Sequence, residues 1–290
     1  MRPEILKNHK IELNKKGWTL IKSVFSKQEI SRFRNYSLDH SINGGRNNGD
    51  LLSHKELQKI IFDERINKIA KTLLNDNPIY FGDSSVAVHS VDKRISHGFH
   101  KDSPDKDDPK SPSFQGEYSV LRFGVYLQDH VAKSQGLIIR SGSHKHANTT
   151  SGKKVIVPSN EGDVVVWYLT TTHSGNAKRI KYLKNIVIAD DGVSKFQQFL
   201  YYRIPSFLIM PDPIDRISIF FTLGKKDHHL KRYIEYLKGR DYAVNTWMNS
   251  FWDTKTKNIS KEKNIYLMDM STELKNSKIN SQADNYKLKY

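Results

Sequence analysis

Between about residues 79 and 224 the chain is a succession of short apolar or alternating runs separated by turn residues, and this constrains the fold more than any other feature. The runs lie at 79–81, 85–89, 120–127, 137–139, 154–157, 164–169, 199–204 and 217–223. Each has strand length rather than helix length, and Gly, Pro, Asp and Asn fill the gaps. Many short strands in succession predict a sandwich or a barrel, where inner faces are buried and edges are covered.

The flanks read differently. A strand at 18–25 follows Gly17; Ser26 then caps a helix with Glu29 at its third position, running through Ile30 and Phe33 to about Asp39. Two helical segments follow at 56–62 and 64–74, ended by Asn75-Asp76-Asn77-Pro78. Residues 44–50 read as a loop, and 101–116, polar and Pro-rich, as a long one. After Lys225, the residues Leu230, Tyr233, Ile234 and Leu237 recur at helical spacing, followed by Trp247, Phe251 and Trp252. The expected layout is one domain over 1–253: a β core at about 79–224 carrying an insertion at about 177–215 with strands of its own at 184–189 and 199–204, and a C-terminal helical flank at 225–253. A Lys/Asn-rich, partly ordered tail follows at 254–290.

Composition narrows the chemistry. With 290 residues the chain can bury a core without covalent staples. It contains no cysteine, which excludes disulfide scaffolds, thiolate metal sites and cysteine nucleophiles, so any metal must be held by His and carboxylate. The formal net charge of +16 favours an anionic partner, and an anionic small-molecule substrate is the economical form of it. Nucleic acid is disfavoured, because Lys and Arg are scattered rather than striped with aromatics. No apolar run has the length of a signal peptide core or a membrane span, so a cytoplasmic protein is expected. Oligomeric state is not legible.

Three residues carry the chemistry. His100-Lys101-Asp102 puts an imidazole and a carboxylate at i and i+2, on one face of an extended segment. Taken alone this pair is common. His173 follows the buried-strand run 164–169, and two His with one carboxylate make the facial triad that suits non-haem Fe(II). Arg216 and Ser218 share one face at the start of the run 217–223, where a guanidinium and a hydroxyl can receive a carboxylate. Tyr118 and Arg122, four residues apart, are candidates to point inward and contact a co-substrate or an anionic substrate. Each also has a plain structural reading: a strand-end histidine, an edge salt bridge, a buried ion pair.

In this order the segments GWTLIKSVFSKQEISRFRN, HKD, VLRFGVYLQDH, QGLIIRSGSHK, EGDVVVWYLTTTHSGN and RISIFFTLG resemble the phytanoyl-CoA dioxygenase family of Fe(II)/2-oxoglutarate oxygenases, over residues 17–224. The resemblance implies a mainly β fold, a double-stranded β-helix of jelly-roll, cupin-like form with flanking helices. It implies Fe(II), 2-oxoglutarate as co-substrate, O₂, and ascorbate as reductant. His100, Asp102 and His173 map to the iron ligands, Arg216 to the 2-oxoglutarate clamp, and Ser218 assists it. The expected activity is hydroxylation of a small molecule, coupled to decarboxylation of 2-oxoglutarate to succinate and CO₂. Related halogenases lack the carboxylate that Asp102 supplies here.

One departure stands out: Arg216 lies 43 positions after His173 (from 173 to 216), whereas the family places its clamp shortly after the distal His. Arg179 and Arg203 are therefore rival clamps. His144, in the turn 142–145 after the run 137–139, and His146 just beyond it are rival metal ligands. The alternatives are a hydroxylase of a peptide or nucleic acid, and a non-catalytic basic jelly roll that binds nucleic acid or a metabolite.

Overall fold

The computed structural model describes residues 2–40, 49–89, 98–104, 106–131, 133–182, 187–188, 194–201, 203–213 and 215–275. Its elements in chain order are α1 (Pro3–Lys16), β1 (Trp18–Ile21), α2 (Lys27–Asp39), α3 (Gln58–Ile61), α4 (Glu64–Leu74), β2 (Ile79–His89), β3 (Val120–Tyr126), β4 (Gly136–Ser141), β5 (Lys153–Ile156), β6 (Val164–Tyr168), β7 (His173–Arg179) and β8 (Val187–Ile188). They continue with α5 (Lys195–Tyr201), β9 (Arg216–Gly224), α6 (His228–Lys238), α7 (Asp241–Met248), α8 (Thr254–Glu262), β10 (Tyr266–Leu267) and α9 (Met270–Lys275).

The strands make two sheets, one of six in the order β1-β6-β3-β9-β2-β10 and one of four in the order β5-β4-β7-β8. Strand alternation sets what each face of the larger sheet does. On β6, Val164, Val166 and Tyr168 join the large core shared with the helices, while Val165 and Trp167 join a smaller core with Leu137 and Ile139 of β4. On β3 and β9 the same split sends Leu121, Phe123, Val125, Ile217, Ile219, Phe221 and Leu223 toward the helices. Their neighbours Arg122, Tyr126, Arg216, Ser218 and Phe220 take the opposite face, the one turned toward the smaller sheet. Burial on both faces explains why these strands read as nearly continuous apolar runs.

The helices pack as amphipathic elements. α2 opens with the expected capping box: the Ser26 hydroxyl accepts from Glu29 N–H, and the Glu29 carboxylate accepts from Ser26 N–H. α6 buries Leu230, Tyr233, Ile234 and Leu237, the face expected from their spacing. No helix is long and apolar enough to cross a membrane among the described residues.

Four elements differ from expectation. α1 is a full helix where only Lys-rich sequence was evident; it buries just Leu6 and Leu13, seven residues apart, too sparse a stripe to signal a helix. The two runs 79–81 and 85–89 are one strand, β2, with a register shift against β9 between Tyr80 and Ser84. The run 199–204 is not a strand: its aromatic content reads as β, but Phe196, Phe199 and Leu200 have i, i+3, i+4 spacing and lie on or beside α5. Residues 254–275, beyond the expected domain end, form α8, β10 and α9, with β10 pairing parallel to β2. Most of the 44–50 loop and of 184–189 lies outside the described residues.

Candidate active site

β6 ends at Tyr168, a turn closes from Thr171 N–H to Tyr168 C=O, and β7 opens at His173. The segment carrying His100 and Asp102 is tied to this corner by its backbone. His100 and His173 exchange both N–H···O bonds, at 3.0 and 2.9 Å, and the Asp102 and Ser103 N–H groups donate to Leu169 C=O at 3.0 and 3.1 Å. In this extended stretch His100 and Asp102 face one way. Lys101 faces the other and is buried, its ammonium donating to the Ser143 and Thr170 carbonyls; burial pulls its pKa down to about 7. The middle residue of the motif thus pins the loop that its neighbours equip.

One ligand atom from each of His100, Asp102 and His173 lies within 4.8 Å of the other two. His100 Nε2 is 3.8 Å from Asp102 Oδ1, and His173 Nε2 is 3.7 Å from Asp102 Oδ2. The Nδ1 atoms of His100 and His173 stand 3.1 Å from the Gly98 and Thr171 carbonyls. A carbonyl only accepts, so each Nδ1 carries a proton, and in the neutral ring this tautomer turns the Nε2 lone pair to the centre of the cluster. Burial holds the His173 pKa down to about 4, so its imidazole is neutral at neutral pH. For Asp102, burial acts upward but is outweighed by His173, Arg122 and His100, and the carboxyl stays below its ordinary range. The donor set is two imidazoles and a carboxylate.

Arg122, on β3, links this cluster to a second carboxylate. Its Nη1 is 3.2 Å from Asp83 Oδ2, its Nε is 3.5 Å from Asp102 Oδ2, and its Nη2 donates to Tyr233 Oη. Asp83, Arg122 and the three cluster residues share a cavity of about 370 Å³ with Tyr126, Trp167, Gly175, Arg216 and Phe220. Arg216 is 5% exposed, and its guanidinium lies against Gly175: a Cβ on that glycine would stand 2.8 Å from Nη2. Burial draws the Arg216 pKa below its ordinary value. Tyr126 is the cross-strand neighbour of Ser218, and the Tyr126 hydroxyl and Ser218 Oγ are buried without a hydrogen-bond partner among the described residues. Buried hydroxyls left this way are costly unless a ligand supplies the partner.

The structure therefore brings His100, Asp102, His173, Arg122, Arg216 and Ser218 to one face or one cavity. It places the other candidates elsewhere. Tyr118 precedes β3, so strand alternation with Arg122 does not apply; it packs on Tyr168 and His229 and does not line the cavity. Arg122 is engaged by two carboxylates rather than open to a co-substrate carboxylate. The Arg179 guanidinium donates to the His130 and Val131 carbonyls, and Arg203 stacks on Phe199; neither lines the cavity. His144 hydrogen-bonds the Asn14 carbonyl and stacks on Tyr168, away from the cluster, and His146 is exposed.

Sequence reasoning missed Asp83, Tyr126 and Gly175. Tyr126 had a findable signal, its strand-alternate position to Arg122. Asp83 and Gly175 act through residues far away in sequence, Asp83 within one sheet and Gly175 from one sheet to the other.

No protein-family model matches the chain, and no curated protein matches it. Solved structures do. The non-haem α-ketoglutarate-dependent epimerase SnoN from nogalamycin biosynthesis is 14% identical, with 77% of this chain and 84% of that chain covered and a TM-score of 0.52. SnoN in complex with Fe³⁺, α-ketoglutarate and nogalamycin RO gives 15% identity, 77% and 85% coverage and a TM-score of 0.51. The non-haem monooxygenase ThoJ, as its Ni complex, gives 13% identity, 74% and 76% coverage and a TM-score of 0.51. At these identities the likeness is one of fold: a mainly β chain of two sheets with packed helices, built as these non-haem enzymes are built.

Proposed function

We propose that this chain is an Fe(II)- and 2-oxoglutarate-dependent dioxygenase of the phytanoyl-CoA dioxygenase type, which hydroxylates a small molecule. The two sheets are then the walls of a double-stranded β-helix. The observation that carries the reading is the shared cavity: a two-His, one-carboxylate cluster with both Nδ1 protons tied to carbonyls, and a buried Arg216 with two unpartnered hydroxyls on the same side of the sheet. The donor set fits Fe(II), and the Arg216–Ser218–Tyr126 group fits the distal carboxylate of 2-oxoglutarate. Fe(II) with 2-oxoglutarate and O₂ supplies the oxidising chemistry, yielding succinate and CO₂.

The chain's own residues do the rest. His100, Asp102 and His173 would hold the metal on one face and leave the other open to co-substrate and O₂. Arg216 would fix one end of 2-oxoglutarate by a forked, charge-assisted contact, with Ser218 Oγ and Tyr126 Oη completing it. Arg122 neutralises Asp102 from behind and fixes its orientation, as an outer partner of a ligating carboxylate does. Trp167 and Phe220 give the cavity apolar wall, which limits water. A cavity of about 370 Å³ is of small-molecule size.

The test is succinate release from 2-oxoglutarate under air with Fe(II) and ascorbate, for wild type, His100→Ala and Arg216→Ala. It is paired with the anaerobic visible charge-transfer band of the Fe(II)–2-oxoglutarate chelate. Wild type should show both and His100→Ala neither, and Arg216→Ala should need far more 2-oxoglutarate. A chain with neither signal is not an oxygenase. SnoN is an epimerase on this fold, so hydroxylation needs its own measurement: the product must gain one oxygen atom from labelled O₂.

A further inference from the structure

The register shift in β2 has a specific result. Tyr80 opposes Leu223 and Ser84 opposes Phe221, so Phe81, Gly82 and Asp83 face the single residue Thr222. Gly82 takes a left-handed φ of +77°, and a Cβ there would stand 3.0 Å from Trp247 Cδ1 of α7, so the bulge closes only with glycine. Bulges beside active sites re-aim side chains. Here the bulge turns Asp83 into the cavity, among residues of β2, β3 and α7.

Asp83 is used on one oxygen only. Arg122 Nη1 at 3.2 Å, Thr222 Oγ1 at 2.6 Å and Tyr233 Oη at 2.9 Å all meet Oδ2. Oδ1 has no partner among the described residues, yet it is not an enclosed atom. Because Asp83 lines the cavity, that oxygen faces the cavity space. Three donors already saturate Oδ2, so the acceptor left over is Oδ1, a carboxylate oxygen in a largely protein-walled space.

The cavity's charges do not continue the surface excess. Its charged lining is two carboxylates, Asp83 and Asp102, and two guanidiniums, Arg122 and Arg216, a balance of zero among the described residues. Arg122 is already committed to both carboxylates, and the proposed function assigns Arg216 to the co-substrate. Among the described residues no lining cation is left over for an anionic substrate.

We infer that Asp83 is the substrate-recognising residue of this cavity and that the substrate is an uncharged or cationic small molecule presenting a hydroxyl or amine to Oδ1. This departs from the anionic substrate that the net charge favours, and it rests on the reading of the cavity as an oxygenase site.

Asp83→Asn tests it by reversing the polarity of one atom. The three donors require an oxygen at the Oδ2 position, so the asparagine carbonyl goes there and its NH₂ takes the place of Oδ1. The full chain, loaded with Zn(II) and 2-oxoglutarate, is titrated by saturation-transfer NMR with three matched pairs: glucose and glucose 6-phosphate, cyclohexanol and cyclohexanecarboxylate, benzylamine and benzoate. Wild type should bind the hydroxyl and amine members in preference. Asp83→Asn should weaken those members by about tenfold or more, the worth of one hydrogen bond to a charged group, and should favour the carboxylate and phosphate members. Preference of the wild type for anionic members, no binding of the donor members at millimolar concentration, or an unchanged profile in Asp83→Asn each overturns the inference. Calorimetry of Zn(II) and 2-oxoglutarate binding separates this from the parent reading. If these two fail to bind, the oxygenase reading falls; if they bind and the pairs behave otherwise, only the role of Asp83 falls.

Discussion

Gly175 is where a single atom does the most. Its missing Cβ leaves the room that the Arg216 guanidinium occupies. Gly175→Ala should therefore displace that guanidinium without disturbing the triad two residues away. The expected outcome is a KM for 2-oxoglutarate raised by about tenfold, the scale of one charge-assisted hydrogen bond, with Fe(II) affinity held. A 2-oxoglutarate titration of succinate release checks it. What could be seen at this scale from sequence follows the same logic. His100 and Asp102 are two apart and His173 ends a recognisable strand, so local pattern was enough to find them. Gly175 gains its purpose from a strand that starts at residue 216, and no local pattern carries that. Of Arg179, Arg203 and Arg216, only Arg216 has a serine two residues on, sharing its strand face, and the cavity lining contains Arg216 alone of the three.

Among the elements, the strands with two buried faces were the most legible, because period-2 burial and apolar content agree in them. β2 broke the pattern at its bulge, which split one strand into two apparent runs. α5 reads as a strand by composition because aromatic residues are enriched in strands, and only the i, i+3, i+4 spacing marks it as a helix. The segment from α8 to α9 looked like tail because Lys and Asn dominate it, yet Ile265, Met270 and Leu274 are buried in the main core. Truncation after residue 253 would remove those three side chains and the β10 strand from the edge of β2. At about 1.5–3 kcal/mol for each of the three large apolar side chains, the loss is about 5–9 kcal/mol, a large share of a domain's stability. The shortened chain is expected to melt far lower than the full chain or to collect in the insoluble fraction, as thermal melts and a solubility assay would show. At the other end of the scale, Ser26→Ala removes one side of the capping box and should cost about 1 kcal/mol in a denaturant titration.

For the molecule as a whole, protons and charge set the working range. Burial lowers the pKa of His130 to about 3 and that of His173 to about 4, against an ordinary imidazole value of 6.5. Between those limits the unfolded chain binds protons that the folded chain refuses, so stability falls as pH falls. In metal-free protein the loss should approach about 1.4 kcal/mol per pH unit for each histidine. Urea midpoints in EDTA from pH 7 to pH 4 would record it, and a flat profile would mean that both imidazoles protonate freely in the fold. The excess of positive charge, plain in the composition, is not carried by the described lining of the cavity, where two carboxylates and two guanidiniums face each other. Global composition spoke for the surface and was silent about the interior. The reciprocal backbone bonds between His100 and His173 have one more consequence. They hold the two main chains together, and the Nδ1 bonds to the Gly98 and Thr171 carbonyls orient the rings, so the socket is set largely by the protein's own bonds rather than by its occupant. A socket that does not reshape itself cannot choose between divalent ions of similar size, and ligand preference then follows the general order in which Ni(II) and Cu(II) outbid Fe(II). Under the proposed function, the enzyme's competence would depend on which metal it met first, and nickel would act as a slow, tenacious inhibitor that chelation followed by iron relieves.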